Sequence, residues 1–159
     1  LKRQKKLATD FASALEVYNS VLLKLIAKKE ISKNENFCSL LPTSPIRELS
    51  SINKAYKRFI KLKPYSLISV NIAKPKEWVW NKTKRDFITK ASISNFKNPN
   101  RQMYKKSYIP NGNFYFFMTS KFLKKKKLLS RNTLLFEIKK NISLDIDDYE
   151  DLKLFKKMI

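Results

Sequence analysis

Two aspartates near the end of the chain, Asp145 and Asp147, flank Ile146. In an extended backbone, residues two positions apart point to the same side, so both carboxylates would face one point while Ile146 packs inward. Paired carboxylate oxygens suit a Mg²⁺ ion that also has phosphate ligands. A plainer interpretation stays open: Asp147 and Asp148 would cap the last helix, because acidic side chains favour the positive end of the helix dipole. From the spacing alone, the cap is the simpler of the two.

Two further groups of polar residues lie upstream. Arg101 and Gln102 lie ten residues before Asn111-Gly112, and an arginine beside a turn can bind a carboxylate or phosphate through two parallel hydrogen bonds. Residues 42–45, Pro-Thr-Ser-Pro, follow an apolar segment and would place hydroxyls at the carboxyl end of a sheet, where α/β folds bind ligands. Each group also has an ordinary structural interpretation, a solvated arginine or a strand-to-helix turn.

Composition excludes several classes of function. The chain has no histidine, so it contains neither a histidine-dependent nucleophile system nor a histidine-ligated metal. Its one cysteine, Cys38, forms no internal disulfide, and its apolar neighbours predict a buried structural thiol. This cysteine usage is typical of a reducing cytoplasm.

The net charge of +22 raises the question of nucleic acid as a partner. The excess is nearly all lysine, scattered along the chain, whereas base-specific recognition relies on arginine, so we expect no specific nucleic-acid partner. No apolar run approaches the roughly 20 residues that cross a bilayer, and the start is not typical of a signal peptide, so we expect no membrane partner.

Hydrophobic periodicity predicts alternating helices and strands. Apolar residues at helical spacing predict one helix from Phe11 to Ile26, with Thr9 or Asp10 as its cap, and a second from Leu49 to Ile60. A closing helix carries Leu152 and Phe155, and Thr119 or Ser120 would cap a short helix ending at residues 124–127. Strands are predicted at residues 36–41, 65–72, 114–118 and 134–138, with a turn at Pro110-Asn111-Gly112. This order indicates an α/β domain with a largely parallel sheet, and residues 73–109 would form a flap or oligomer contact.

Taken together, four segments resemble one family, the acylneuraminate cytidylyltransferases, which make CMP-sugars from CTP and nine-carbon keto acids. The segments are RQKKLATDFAS (3–13), LLPTSPIR (40–47), RQMYKKSYIPNGNFY (101–115) and SLDIDDYEDLKL (143–154). They resemble the family's R-P-x-x-L-A-x-D-x-A-S, L-Q-P-T-S-P-L-R, R-Q-x-x-P-x-x-Y-R-x-N-G-A-I-Y and S-I-D-I-D-T patterns, in the same order. The likeness covers essentially the whole chain.

The resemblance implies a Rossmann-like nucleotidyltransferase sheet over residues 1–159, with an inserted dimerisation arm at about residues 73–127. It implies transfer of CMP from CTP to a nonulosonic acid in a cytoplasmic homodimer, with Asp145 and Asp147 holding Mg²⁺. Arg101 would bind the sugar acid, Asn111 and Tyr115 would line its pocket, and Arg3 would lie on the nucleotide side. The other substrate-binding residues implied are Asp10, Ser13, Thr43, Ser44, Gln102 and Gly112.

The chain also departs from the family pattern. Leu41 stands where the family has a sugar-binding glutamine, and Ile109 replaces an arginine. The family's glycine- and lysine-bearing triphosphate loop has no counterpart, so we expect roughly 60–80 residues upstream, about two βαβ units. Three alternatives stay open: an inactive truncated remnant serving as an interaction module, a basic nucleic-acid-binding protein, and an enzyme that activates a related acid, such as a pseudaminic- or legionaminic-type sugar or, more remotely, Kdo.

Overall fold

The protein is described by a computed structural model that covers residues 4–9, 11–97 and 99–158, with the backbone alone at Arg101. Its strands are β1 (Asn36–Ser39), β2 (Ser66–Ala73), β3 (Ser107–Met118) and β4 (Thr133–Glu137). Its α-helices are α1 (Ala14–Ala27), α2 (Leu49–Leu62), α3 (Lys90–Asn95), α4 (Thr119–Lys125) and α5 (Tyr149–Met158). Short 3₁₀ helices lie at Lys5–Leu7, Lys76–Trp78, Arg101–Met103 and Lys140–Ile142.

The four strands form one mixed sheet in the order β1-β3-β2-β4. β3 is antiparallel to both of its neighbours, β1 and β2, while β2 and β4 are parallel. β1, β2 and β4 therefore run in one direction, so the expectation of a largely parallel sheet holds for strand direction and is wrong for β3. The alternation of strands and helices made β3 look like another parallel strand, although it follows β2 without a long helix between them.

The predicted turn at Pro110-Asn111-Gly112 is also wrong, because these residues lie inside β3. Ile68 pairs with Tyr115 and Val70 with Pro110, so β2 advances two residues (68 to 70) while β3 advances five (110 to 115). The extra residues of β3 bulge out of the ladder opposite Ser69. Proline and glycine in a central strand are typical of such a bulge, which redirects side chains without reversing the chain.

Helices cover both faces of the sheet. Successive residues of a strand point to opposite faces, and Phe116 and Phe117 accordingly belong to different core clusters. On one face Phe116 packs with Ala55 and Phe59 of α2. On the other, Phe117 packs with Leu22 of α1 and Phe122 of α4. The predicted helices α1 and α2 are confirmed, although Leu49 of the predicted apolar face of α2 is 70% exposed.

Residues 74–106 leave the sheet between β2 and β3. They contain α3, two 3₁₀ helices and an isolated antiparallel bridge between Lys82 and Ile88. Trp78 and Trp80 pack against Phe96 there. β3 and α4, which fall within the predicted arm of residues 73–127, belong to the sheet and its core. We use the name arm for residues 74–106 below.

Two smaller expectations are corrected. Cys38 is exposed, because β1 is an edge strand whose side chains are only partly covered. Neither Thr119 nor Ser120 caps α4: Met118 occupies the cap position without a side-chain hydrogen bond, and the Thr119 hydroxyl is buried without a partner. In the part of the chain that the structure describes, no helix has the length and apolar character needed to cross a membrane.

Candidate active site at the carboxyl edge of the sheet

Ser44 lies at the centre of the polar groups that the sequence singled out. It is fully buried in the loop that follows β1. Its hydroxyl lies 3.1 Å from Oδ1 of Asp145 and 3.2 Å from the carbonyl oxygen of Asn111. Both partners are acceptors, so they share the one hydroxyl proton. Three segments distant in sequence therefore meet at this side chain: the loop after β1, the bulge of β3 and the segment before α5.

Gly112 allows this close approach. It has φ of 73°, in the left-handed region, and a Cβ there would lie 2.7 Å from Ser44 Oγ and 3.0 Å from Asp145 Oδ2. Any side chain would force these groups apart, and an L-residue would also be strained at this φ. The only glycine in the 159-residue sequence thus lies where the side chains of Ser44 and Asp145 approach the backbone of β3.

A backbone hydrogen bond ties the segment that carries Asp145 and Asp147 to the loop after β1. The Ile146 N–H donates to the carbonyl oxygen of Thr43 at 2.8 Å. Residues 143–147 belong to no helix or strand and follow the 3₁₀ helix Lys140–Ile142. Asp145 is half-buried against Ser44 and Gly112, whereas Asp147 is exposed.

The structure separates the two interpretations of the acidic run. Asp148, not Asp147, caps α5: the Asp151 N–H donates to Asp148 Oδ1 at 2.9 Å, and Asp151 Oδ2 accepts from the Asp148 N–H at 3.3 Å. Oδ2 of Asp151 also accepts from the Asp147 N–H at 3.1 Å. The Asp148 carboxylate thus caps the N–H of Asp151 in the first turn of α5, and the carboxylate of Asp147 takes no part in these bonds.

A buried amide network supports the bulge. Oδ1 of Asn111 accepts from Ser69 Oγ at 2.7 Å, and its Nδ2 donates to Asn71 Oδ1 at 3.1 Å. Ser143 Oγ donates to the same Asn71 oxygen at 2.8 Å. Asn111 was predicted to line a sugar pocket, but its side-chain amide is committed to protein partners and it is almost fully buried. Here it holds the bulge in place.

Sequence reasoning missed Ser69, Asn71 and Ser143, although a signal was present. Ser69 and Asn71 interrupt the apolar strand β2 two positions apart, so they share a face. Polar side chains inside a buried strand require hydrogen-bond partners. Their presence in β2 therefore indicates a buried polar network next to the strand.

Arg47 and Asn113 were also missed. Arg47 donates from Nε to the Asn113 carbonyl oxygen at 3.3 Å and from its terminal nitrogen to the carbonyl oxygen of Leu41. Asn113 in turn donates to the carbonyl oxygens of Ile46 and Ile142, at 2.7 and 2.9 Å. The two side chains join the loop after β1 to the bulge, and Arg47 closes the same LLPTSPIR run that supplied Ser44.

Tyr115 lies beside this site. Burial raises the pKa of its hydroxyl, and the nearby Tyr18 and the carboxylate of Asp145 raise it further, while a hydrogen bond from the backbone of Gly112 partly offsets these effects. The phenol is therefore neutral at physiological pH and able to donate a proton in a hydrogen bond.

The remaining predicted residues are placed less centrally. Thr43 is exposed on the loop next to Ser44. Ser13 caps α1 in a capping box with Glu16, with its hydroxyl 3.2 Å from the Glu16 N–H, so the predicted caps Thr9 and Asp10 are replaced by Ser13. Gln102 is exposed in the 3₁₀ helix Arg101–Met103. Arg3, Asp10 and the side chain of Arg101 lie outside the described residues.

Comparison with known proteins agrees with the geometry. The chain is 31% identical over 157 residues to the N-acylneuraminate cytidylyltransferase of Escherichia coli O18:K1:H7, covering 97% of the chain and 35% of that protein. It is 23% identical over 155 residues to a pseudaminic acid cytidylyltransferase of Campylobacter jejuni serotype O:2, covering 66% of that protein. The chain is related to these cytidylyltransferases. The resemblance found in the motifs is thus confirmed, and the chain spans about a third and two thirds of the two relatives.

The fold agrees as well. A crystal structure of 4-diphosphocytidyl-2C-methyl-D-erythritol synthase superposes with a TM-score of 0.61 over 92% of this chain and 67% of that chain, at 8% identity. The predicted Rossmann-like nucleotidyltransferase sheet is therefore confirmed. No family model matches the sequence.

Proposed function

We propose that the protein belongs to a cytidylyltransferase that transfers CMP from CTP to a nonulosonic acid and releases pyrophosphate. In this reaction an oxygen of the acidic nine-carbon sugar attacks the α-phosphorus of CTP, and the bond to the pyrophosphate oxygen breaks. The enzyme would work as a homodimer in the cytoplasm.

One observation carries the proposal. Ser44, Gly112 and Asp145 come from three of the motifs that resemble the acylneuraminate enzymes, and they meet at one point although Ser44 and Asp145 are 101 residues apart. A chance likeness of short motifs would not bring their polar groups into contact at the carboxyl edge of the sheet, where ligands of open α/β sheets bind. Relatives with names for two different acidic sugars support the substrate class.

The residues present fit a magnesium ion by the chemistry of their oxygens. Asp145 faces Gly112, which brings no side chain, and the carboxylate of Asp147 is exposed and not used as a helix cap. Among the described residues, no group of three or more His, Cys, Asp or Glu side chains could hold a metal. Mg²⁺ commonly binds through one or two carboxylates and completes its shell with phosphate and water, so two aspartates suffice. When bound, the ion would neutralise charge that develops on the phosphates.

The other residues would bind and orient. Ser44 would orient the Asp145 carboxylate through its hydrogen bond, and the neutral hydroxyl of Tyr115 would donate to the substrate beside it. Arg101 would pair with the sugar carboxylate, because an arginine forms two parallel hydrogen bonds with a carboxylate. These residues supply binding and orientation. None of them is proposed to accept the proton of the attacking sugar hydroxyl.

The test uses the complete gene product with CTP, Mg²⁺ and either N-acetylneuraminic or pseudaminic acid. We expect a CMP-sugar by mass spectrometry together with stoichiometric pyrophosphate. Asp145→Asn should lower kcat at least tenfold at limiting Mg²⁺, with partial recovery in excess Mg²⁺, since the substitution removes the charge that holds a hard cation.

Asp148→Asn is the matched control, because asparagine caps a helix about as well as aspartate. It should leave both kcat and its Mg²⁺ dependence unchanged. Absence of CMP-sugar with either acid would overturn the proposal. Equal losses in the two variants would remove the special role of Asp145.

A further inference from the structure

A cluster of lysines lies at the end of the sheet opposite the candidate site. The site lies beyond the carboxyl ends of β1 and β4, whereas the cluster surrounds the start of β2, where α2 and α4 end. We call it the basic end; its members are Lys61, Lys63, Lys121, Lys124, Lys125, Lys126, Lys127 and Arg131. All are exposed except Lys121, which is half-buried.

Contacts around Tyr65 join the segments of the basic end into one surface. The Tyr65 hydroxyl donates to the carbonyl oxygen of Lys127 at 2.5 Å, and its backbone N–H donates to Asn132 at 2.8 Å. Lys125 lies over the Tyr65 ring, with its Nζ 5.2 Å from the ring centroid. Lys121 Nζ reaches the carbonyl oxygen of Lys63 at 3.2 Å. These contacts bring the end of α2, the end of α4 and the segment before β4 together around Tyr65.

Among the described residues, no ion pair involves a cation of the basic end. No acidic residue occurs at positions 49–76 or 87–136, which include every residue of the basic end. Within the described part of the chain, the ion pairs lie elsewhere, at Lys28–Glu30, Lys82–Asp86 and Lys153–Glu150. Two helix C-termini together offer about one unit of negative charge, against eight cationic side chains. Stabilising the helix ends therefore explains only a small part of the cluster.

Exposed leucines indicate which anionic partner fits. Leu62 lies between Lys61 and Lys63 and is 54% exposed, and Leu129 follows Lys127 by two residues and is 58% exposed. The charged phosphate backbone of a nucleic acid offers no apolar surface for an exposed leucine to contact. An anionic bilayer surface uses both features, because its headgroups attract lysine while its acyl boundary accepts apolar side chains.

We propose that the basic end is a peripheral docking surface for anionic membrane lipids. Lysines at an anionic surface each contribute about fivefold to the partition coefficient, and the effect falls within a Debye length. This proposal departs from the expectation of no membrane partner, which rested on the lack of an apolar span and of a signal peptide; peripheral binding requires neither. It would hold the protein with the carboxyl edge of its sheet, and so the candidate site, facing away from the bilayer.

The experiment measures sedimentation of the full chain with vesicles. One set contains phosphatidylcholine with 30 mol % phosphatidylglycerol, and the other contains phosphatidylcholine alone, both in about 0.1 M salt. We expect binding to the anionic vesicles only. The triple variant Lys124→Gln, Lys125→Gln, Lys127→Gln should bind at least tenfold more weakly, and it leaves the left-handed cap at Lys126 intact.

Two controls make the result specific. The variant Lys97→Gln, Lys105→Gln, Lys106→Gln removes the same charge from exposed positions of the arm and should keep vesicle binding within about threefold. Leu129→Ser should weaken vesicle binding several-fold while leaving the binding of a 20-base-pair duplex unchanged. Circular dichroism checks that each variant is folded.

Three outcomes would overturn the proposal. These are no binding of the wild-type chain to anionic vesicles, equal losses in the two lysine variants, and duplex binding tighter than vesicle binding with no effect of Leu129→Ser. The last would assign the surface to nucleic acid instead. None of these measurements depends on cytidylyltransfer, so the proposed function and the lipid surface fail separately.

Discussion

At the scale of single residues, position 112 is restricted to glycine. Its positive φ and the near contact of Ser44 and Asp145 act together, so a side chain would be strained and would also push on the site. Left-handed backbone alone costs an L-residue about 1 kcal/mol, and a contact of 2.7 Å adds to it. The bulge of β3 and the position of Asp145 thus depend on one glycine.

Gly112→Ala should lower the free energy of unfolding by about 1–3 kcal/mol, and it should displace Asp145. Thermal denaturation and, in the complete gene product, kcat measure the two effects. Ser44→Ala in the same background removes the nearest atom and should restore part of the stability but not the activity, since Ser44 also orients Asp145. A Gly112→Ala protein with unchanged melting temperature would contradict the close approach.

Cys38 offers a pH-dependent prediction. The residue as a whole is exposed, but the protein around its thiol desolvates the sulfur and raises its pKa from 9.0 to about 11, partly offset by a backbone hydrogen bond and the charge of Arg47. A raised thiol pKa favours the neutral form of the folded state. Its contribution to stability is therefore complete below about pH 9 and is lost as the pH rises through about 11.

The same shift predicts slow alkylation of Cys38. At pH 8, iodoacetamide should modify the folded protein roughly ten- to a hundredfold more slowly than the urea-unfolded chain, because less thiolate is present. The two rates should converge above pH 11. Mass spectrometry of quenched time points measures both, and equal rates at pH 8 would contradict the raised pKa.

At the scale of elements, two helices end in an unusual way. Lys63 after α2 and Lys126 after α4 occupy left-handed cap positions, with φ of 46° and 47°. Glycine is preferred there because it has no Cβ to clash. The cap hydrogen bonds are nonetheless formed, from Lys63 N–H to Phe59 and from Lys126 N–H to Phe122, so lysine occupies these positions at a cost in free energy.

Lys126→Gly should therefore stabilise the protein by about 0.5–1 kcal/mol, seen as a higher melting temperature. Lys125→Gly, one residue earlier and within α4, removes the same charge. It should destabilise slightly, because Lys125 is the last residue of α4 with helical backbone, where glycine is less favourable than lysine. Changes of the same sign in the two variants would mean that charge, not backbone conformation, sets the effect.

Local periodicity was enough to predict most helices and strands, but not α3, the first half of β3 or the strand pairing. α1, α2, β1, β2 and β4 follow from apolar spacing, since each packs one stripe or face against the core. The bulge at Pro110–Gly112 could not be told from a turn, because both need the same residues and only the neighbouring strands decide. Ser44 and Asp145 were found through motifs, whereas Arg47 and Asn71 act through contacts that span 66 and 67 residues.

At the scale of the whole molecule, the arm is an excursion from an otherwise continuous hairpin. Ala73 at the end of β2 is the register partner of Ser107 at the start of β3, so the two ends of the 74–106 segment lie at the distance of a cross-strand pair. The hydrophobic core clusters on both faces draw on the helices and strands outside the arm. The sheet should therefore fold without the arm, and the arm's predicted role in dimerisation can be tested apart from the fold.

Replacing residues 74–106 by Asn-Gly should keep the fold, because a two-residue turn of this kind joins antiparallel strands directly. Shortening the connection lowers the entropy cost of closing it by about 2 kcal/mol, so the melting temperature should not fall. If the arm mediates a homodimer, the variant should be monomeric in sedimentation equilibrium while the parent chain is dimeric. Deleting Phe116 as well moves Phe117 to the opposite face of β3, away from Leu22 and Phe122, so this control should unfold. A shortened variant that is itself unfolded would show that the arm is part of the folding unit, and one that is folded yet still dimeric would move the subunit contact to another surface.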